Sequence, residues 1–188
     1  MPTPKKTKMK KYQIIYADPP WEMKKIERRV RPNQKGFDYS TMNVEEIATL
    51  KVPTNENAFL FLWTTQTYLP RAFEVMKAWG FNYHLTITWD KMNGMTLFGF
   101  HRRTEFLLFG YKGQKPKMFQ HKNSFPSLVQ VSSKKLRHSE KPAIFRSLIE
   151  QYCGDLPRLE MFARTATEGW DVWGNEVKND IELTQPQQ

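Results

Sequence analysis

The chain has 188 residues and a mass of 22.4 kDa, enough to bury one α/β core and too little for two. Hydrophobic residues at 39% and aromatics at 14% exclude a wholly disordered chain, and no apolar run reaches the roughly 18–20 residues of a membrane helix. The 29 Lys and Arg against 19 Asp and Glu give a net charge of +10, which favours a polyphosphate partner, while a lone Cys153 excludes a disulfide framework and a Cys-rich metal site.

Residues 1–11 carry the positive charge of a signal peptide without its apolar segment. They read as a flexible basic arm on a soluble, cytoplasmic protein. Tyr12 to Ala17 is a short run of strand formers, and Pro19-Pro20 stops it because neither residue can continue a central strand. Residues 22–40 lack apolar periodicity and predict a long loop. Asn43-Val44-Glu45-Glu46 matches a capping box and opens a helix to about Leu50. Ala58 to Trp63 is continuously apolar, as suits a strand covered on both faces. Leu69 to Trp79 has helical spacing through Ala72, Phe73, Met76 and Trp79, with Gly80 as its stop.

Tyr83 to Trp89 and Thr104 to Phe109 predict an antiparallel pair around a loop containing Gly94 and Gly99. Residues 112–138 read as a second long basic loop. Pro142 to Tyr152 is an amphipathic helix started by Ser139 and the proline and stopped by Gly154. Leu159–Phe162 and Trp170–Trp173 predict two short strands, and residues 183–188 a disordered tail. Alternation of strand and helix over residues 12–182 argues for one doubly wound α/β domain with ligands at the carboxyl ends of the strands.

The positive charge is clustered. Lys24, Lys25, Arg28, Arg29, Arg31 and Lys35 are opposed only by Glu27, and further basic groups sit at Lys112, Lys115, Lys117 and Lys122. Such clustering favours a nucleic-acid face over a uniformly solvated surface.

The segment richest in chemistry is Ala17-Asp18-Pro19-Pro20-Trp21. A carboxylate at a strand end, a carbonyl held by a stiff backbone and an aromatic ring would suit a flat substrate bearing an exocyclic amine. Asp18 and the Pro19 carbonyl can accept its two N–H bonds while Trp21 stacks on its ring. The competing reading is a capped strand end, a polyproline turn and a core tryptophan.

Asp18-Pro19-Pro20-Trp21 after an apolar strand resembles the signature of amino-group methyltransferases, in particular the MT-A70 adenine-N6 family. Tyr39-Ser40-Thr41-Met42, Phe61-Leu62-Trp63-Thr64, Ala78-Trp79-Gly80-Phe81 and Trp89-Asp90-Lys91 are also similar to family segments. So are Thr104-Glu105, His138 to Pro142, and Trp173-Gly174-Asn175-Glu176. The resemblance implies a Rossmann-like methyltransferase sheet in circularly permuted, beta-class order, mostly parallel with an antiparallel strand pair. It implies S-adenosyl-L-methionine as donor, no metal, and adenine N6 in nucleic acid as acceptor. DNA is favoured over RNA, and a monomer or homodimer is expected.

By the same resemblance Asp18, Pro19, Pro20 and Trp21 are catalytic. Asp18, Pro19, Lys141, Arg164, Asn175 and Glu176 meet the donor, and Trp21, Tyr39, Lys24, Lys25, Arg28, Arg29, Arg31 and Lys91 meet the substrate. The alternatives are an RNA adenine-N6 enzyme, a non-catalytic nucleic-acid-binding subunit, and transfer to cytosine N4, where the tetrapeptide more often begins with Ser. His84, His101, His121 and His138 have no spacing that suggests zinc, and Cys153 reads as a small core residue.

Overall fold

The structure, a computed structural model, describes residues 10–22, 41–114, 124–134, 136–137 and 139–183. The expected arm before Lys10, the basic loop with Lys24, Lys25, Arg28, Arg29, Arg31 and Tyr39, and the tail from residue 184 lie outside the described residues.

In chain order the elements are β1 (Tyr12–Ala17), α1 (Val44–Thr49), β2 (Thr54–Thr65), α2 (Leu69–Ala78) and β3 (Asn82–Leu97). There follow β4 (Phe100–Lys112), β5 (Leu128–Gln130), α3 (Ala143–Cys153), β6 (Arg158–Met161) and β7 (Asp171–Trp173). The strands form one sheet in the order β5-β3-β4-β2-β1-β6-β7. β4 runs antiparallel to both of its neighbours, and every other pairing is parallel. This is the permuted Rossmann-like sheet expected, with its antiparallel member between β3 and β2. β1 has β2 on one side and the much later β6 on the other, so the order of strands reverses around it. In open α/β sheets that reversal point is where a crevice opens at the carboxyl ends of the strands.

Alternation along β2 sorts its side chains between two apolar layers. Ala58, Leu60 and Leu62 face the layer that holds α1 and α2, whereas Phe59, Phe61 and Trp63 face the layer of α3. All six are buried, and each large one stabilises the fold by about 1.5–3 kcal/mol relative to exposure. β1 alternates in the same way from Ile14 on; Tyr12 falls in the other layer because the pairing register with β2 shifts between Tyr12 and Ile14. α2 buries Ala72, Val75 and Met76, one helical face, and α3 buries Phe145, Ile149 and Cys153 at four-residue spacing.

Four expectations need correction. Phe73, read as part of the buried stripe of α2, is 37% exposed and packs edge-on against Tyr83. Ser139 does not start α3: it has a left-handed φ of 61°, and Pro142 is the N-cap. Residues 112–138 are not one loop, because Leu128–Gln130 pair with Thr88–Asp90 of β3 and bury Val129. The loop expected around Gly94 and Gly99 is strand for most of its length, with only Phe98-Gly99 left to turn β3 into β4.

Candidate active site

The carboxyl end of β1 is fixed by its own backbone. Asp18 N–H donates to the carbonyl of Met161 in β6, so the residue is still aligned with the sheet. Pairing then stops at Pro19-Pro20. Trp21 N–H turns back to the Pro19 carbonyl at 2.8 Å, and Met42 N–H donates to the Pro20 carbonyl at 2.9 Å. The chain returning to α1 thus clamps the turn; α1 itself begins in the expected capping box of Asn43 and Glu46. Trp21 is 7% exposed, its ring stacked on Tyr68 at 5.4 Å and its indole N–H donating to the Trp63 carbonyl at 3.1 Å. The ring therefore holds the turn in place and presents only a margin to solvent.

Lys141, two residues ahead of α3, reaches across to this strand end. Its ammonium lies 2.9 Å from Asp18 Oδ2 and 3.4 Å from Glu105 Oε2. It also donates to the Ser139 carbonyl at 3.1 Å and sits 5.4 Å above the Trp63 ring. Lys91 then pairs with Glu105 at 3.1 Å. Asp18, Lys141, Glu105 and Lys91 form one row of alternating charge drawn from β1, the segment before α3, β4 and β3. The Lys141 side chain is 12% exposed, that of Glu105 16% and that of Asp18 31%, so of the three the carboxylate of Asp18 is the most open to a ligand.

Burial pushes the Asp18 carboxyl above the ordinary range despite the lowering pull of Lys141, and the nearby charge of Glu105 adds to the rise. For Lys141, burial acts against the ammonium, but Asp18 and Glu105 outweigh it and hold the proton more tightly than usual. Below this pair the wall is rigid: Trp63 donates to the Tyr16 hydroxyl at 2.8 Å, and Arg146 grips Glu160 with several guanidinium contacts of 2.8–3.2 Å.

A second group stands at the ends of β6 and β7. Gly174 is pressed against Ala163, whose carbonyl oxygen would lie 2.1 Å from any Cβ there, so only glycine fits. Ala163 N–H donates to the Trp173 carbonyl at 3.0 Å and ties the two turns together. This brings Arg164 against Glu176 at 2.9 Å, both exposed, with Asn175 exposed alongside. Arg164 is near enough for its charge to pull on Asp18.

The structure therefore brings Lys141 directly to Asp18, joins Lys91 to them through Glu105, and sets Arg164, Asn175 and Glu176 at the neighbouring strand ends. Glu105 was not among the site residues expected. Its sequence signal is a lone acid entering an apolar strand, opposite Trp89 in the sheet register. A cleft beside it is lined by Thr65, Thr67, Lys91, Arg102 and Glu105.

Comparison with known proteins places this arrangement. A type II methyltransferase, M.MunI, from a Mycoplasma species is 34% identical over 93% of this chain and 82% of its own length. The human N(6)-adenosine-methyltransferase catalytic subunit METTL3 is 26% identical over 94% of the chain, and the human N(6)-adenine-specific methyltransferase METTL4 is 27% identical over 89%. The chain spans 30% and 38% of the length of those two. The MT-A70 family profile matches residues 12–176, from the first residue of β1 to Glu176, with Asp18, Glu105, Lys141 and Arg164 all inside it. The chain belongs to the MT-A70 family.

Proposed function

We propose that this protein transfers a methyl group from S-adenosylmethionine to the N6 amino group of adenine in nucleic acid, with DNA as the favoured polymer. The observation that carries the reading is Asp18 at the head of β1, a half-open carboxylate held 2.9 Å from a buried lysine at the reversal point of the sheet. The preference for DNA rests on size: the chain spans 82% of a relative named as a type II methyltransferase but only 30% of one named for adenosine.

The residues present suit the donor. Glu176 and Asn175 offer exposed polar groups for ribose hydroxyls, Arg164 offers a cation, and Lys141 is a lysine that can meet a carboxylate or carbonyl. Bound there, S-adenosylmethionine supplies an electrophilic methyl group on a sulfonium. Asp18 and the Pro19 carbonyl accept the two N–H bonds of the adenine amine, which draws the nitrogen toward tetrahedral geometry and withdraws its lone pair from conjugation with the ring. The Pro19 carbonyl already accepts from Trp21, yet a carbonyl has a second lone pair, and a carboxylate with one oxygen on Lys141 retains others.

As nitrogen gains positive charge, the fixed carboxylate stabilises it without having to reorganise. In this reading Asp18 also takes the proton released. Trp21, braced by Tyr68, lies beside the base with the margin of its ring, and a base in a duplex must first be flipped out. Lys24, Lys25, Arg28, Arg29 and Arg31 supply phosphate contacts, and Tyr39 a further aromatic on the substrate side.

The test is nucleoside mass spectrometry after incubating the protein with isotopically labelled donor and either DNA or RNA. Labelled N6-methyldeoxyadenosine from DNA, lost in Asp18→Ala, is the expected result. Label in RNA alone would overturn the choice of polymer. No label in either would overturn the reaction.

A further inference from the structure

Beyond the site, β3 and β4 continue as a two-stranded ribbon. β2 stops pairing with β4 at Thr65↔Glu105 and β5 stops pairing with β3 at Asp90↔Gln130, whereas β3 and β4 stay paired out to Leu97↔Phe100. At the root of the ribbon the register shifts between Asp90 and Met95, with Met92 at a positive φ of 59° and Gly94 packed against the Arg102 carbonyl. Such a bulge re-aims the strands beyond it and is characteristic of active-site borders. The root carries Lys91 and Glu105, which line the cleft beside the ion pair of Asp18 together with Arg102 from further along β4. The tip lies roughly 20 Å further along the strand.

The tip has a composition that stability alone does not explain. Phe98 is 90% exposed and Phe100 79%, the two most exposed large apolar residues among those described. Phe98 and Gly99 have φ of 52° and 81°, the double positive pattern of a type I′ turn. That turn favours Asn-Gly, because a bulky residue in the left-handed region is strained. Here an aromatic occupies the strained position and faces water. Behind it along β4 follow His101, Arg102 and Arg103, all exposed. Arg103 is held by Asp90, while Arg102 reaches only the Thr67 hydroxyl and no carboxylate among the described residues.

We propose that this ribbon enters the groove of double-stranded DNA next to the target adenine and that Phe98 is a wedge which fills or opens the base stack there. A two-stranded ribbon fits the major groove, about 12 Å wide, and roughly 20 Å of reach takes its tip across it. Arg102 and His101 meet phosphates on the way in, in keeping with the net charge of +10. An apolar side chain between base steps lowers the cost of extruding a base. The proposal rests on the function given above and names the element that would make a paired adenine accessible.

The test compares wild type with Phe98→Asn, Phe98→Trp and Phe100→Ser on unmethylated genomic DNA, native and heat-denatured. Asn suits the turn, so F98N should melt no lower than wild type. Its kcat/KM should fall at least tenfold on native duplex and less than threefold on denatured strands, with F98W restoring most of the loss. F100S should show a smaller loss of the same kind.

Equal activity of F98N and wild type on duplex would overturn the wedge and leave the methyltransferase reading intact. So would an equal loss on both forms of DNA, or a dimer that F98N turns into a monomer in sedimentation, which would make the tip a contact between copies. If wild type methylates neither form, the function proposed above fails, and the wedge with it.

Discussion

The two ends of β1 each carry an aspartate paired with a lysine, and the two pairs behave in opposite ways. At the amino end Lys10 meets Asp171 at 2.6 Å, with Tyr12 donating its hydroxyl to the same carboxylate. At the carboxyl end Lys141 meets Asp18 at 2.9 Å. Partial burial acts to raise Asp171, but Lys10 and the Tyr12 hydroxyl outweigh it, and its carboxyl lies below the ordinary range. Around Asp18 burial is the stronger effect and the carboxyl lies above it. The difference is the company each carboxylate keeps: the Tyr12 hydroxyl joins Lys10 in lowering Asp171, whereas the charge of Glu105 adds to the burial that raises Asp18. A salt bridge therefore does not fix the sign of a shift. The balance of burial against neighbouring charges and hydrogen bonds decides it, and the raised carboxyl marks the end of the strand where chemistry is proposed.

Replacing each member of the two pairs breaks or sharpens this contrast. Asp18→Ala should cost at least about a hundredfold in kcat, the worth of one preorganised group acting on developing charge. Single-turnover methyl transfer would measure it, with donor binding checked by titration calorimetry. Lys141→Met should lower kcat/KM roughly ten- to a hundredfold, as for loss of a charge-assisted hydrogen bond. It should also move the acidic limb of the pH–rate profile upward, because the one strong influence lowering Asp18 is gone. An unmoved limb would mean that another group controls it.

Asp18→Asn addresses stability. Since the folded pKa of Asp18 exceeds its unfolded value, its ionisation costs stability at neutral pH, and that cost disappears as pH falls through the folded pKa. Glu105 still pairs Lys141 in the variant. The variant should melt above wild type at pH 7, by roughly 2–4 °C for each kcal/mol relieved, with the gain absent in acid. Lys10→Ala is the smallest effect. Asp171 is depressed, so its contribution is present at neutral pH and fades as pH falls through its folded pKa. Chemical denaturation should show a loss of at most about 1 kcal/mol, reduced further in high salt, with methyl transfer unchanged.

Much of the fold was legible because local signals and burial agree. β1 has the bounds its strand formers and Pro-Pro stop predict, and α1 begins at the capping box. β5 was not legible: its three residues lie in a basic stretch and become a strand only through pairing with Thr88–Asp90. The outer ribbon was missed because two glycines suggested a loop, although Gly94 serves a close backbone approach and only Gly99 turns the chain. In the site, Asp18 was legible as a carboxylate at a strand end and Lys141 was named from resemblance, but their contact depends on the segment before α3 crossing to the end of β1. Glu105 was quoted only as part of a segment and given no role, because its meaning comes from two lysines elsewhere in the chain.

The place of β1 in the sheet also bears on how the protein is made. Ile14 pairs with Phe59 on one side but with Arg158 on the other, a separation of roughly 140 residues. At about 5–20 residues per second, the ribosome needs roughly 7–30 s to deliver β6 after β1 has emerged. During that interval a nascent apolar ribbon bears a bare row of peptide donors and acceptors, a template for unwanted intermolecular association. The strand that leads to Asp18 thus waits roughly 140 residues for its second neighbour and cannot be flanked on both sides before β6 is made.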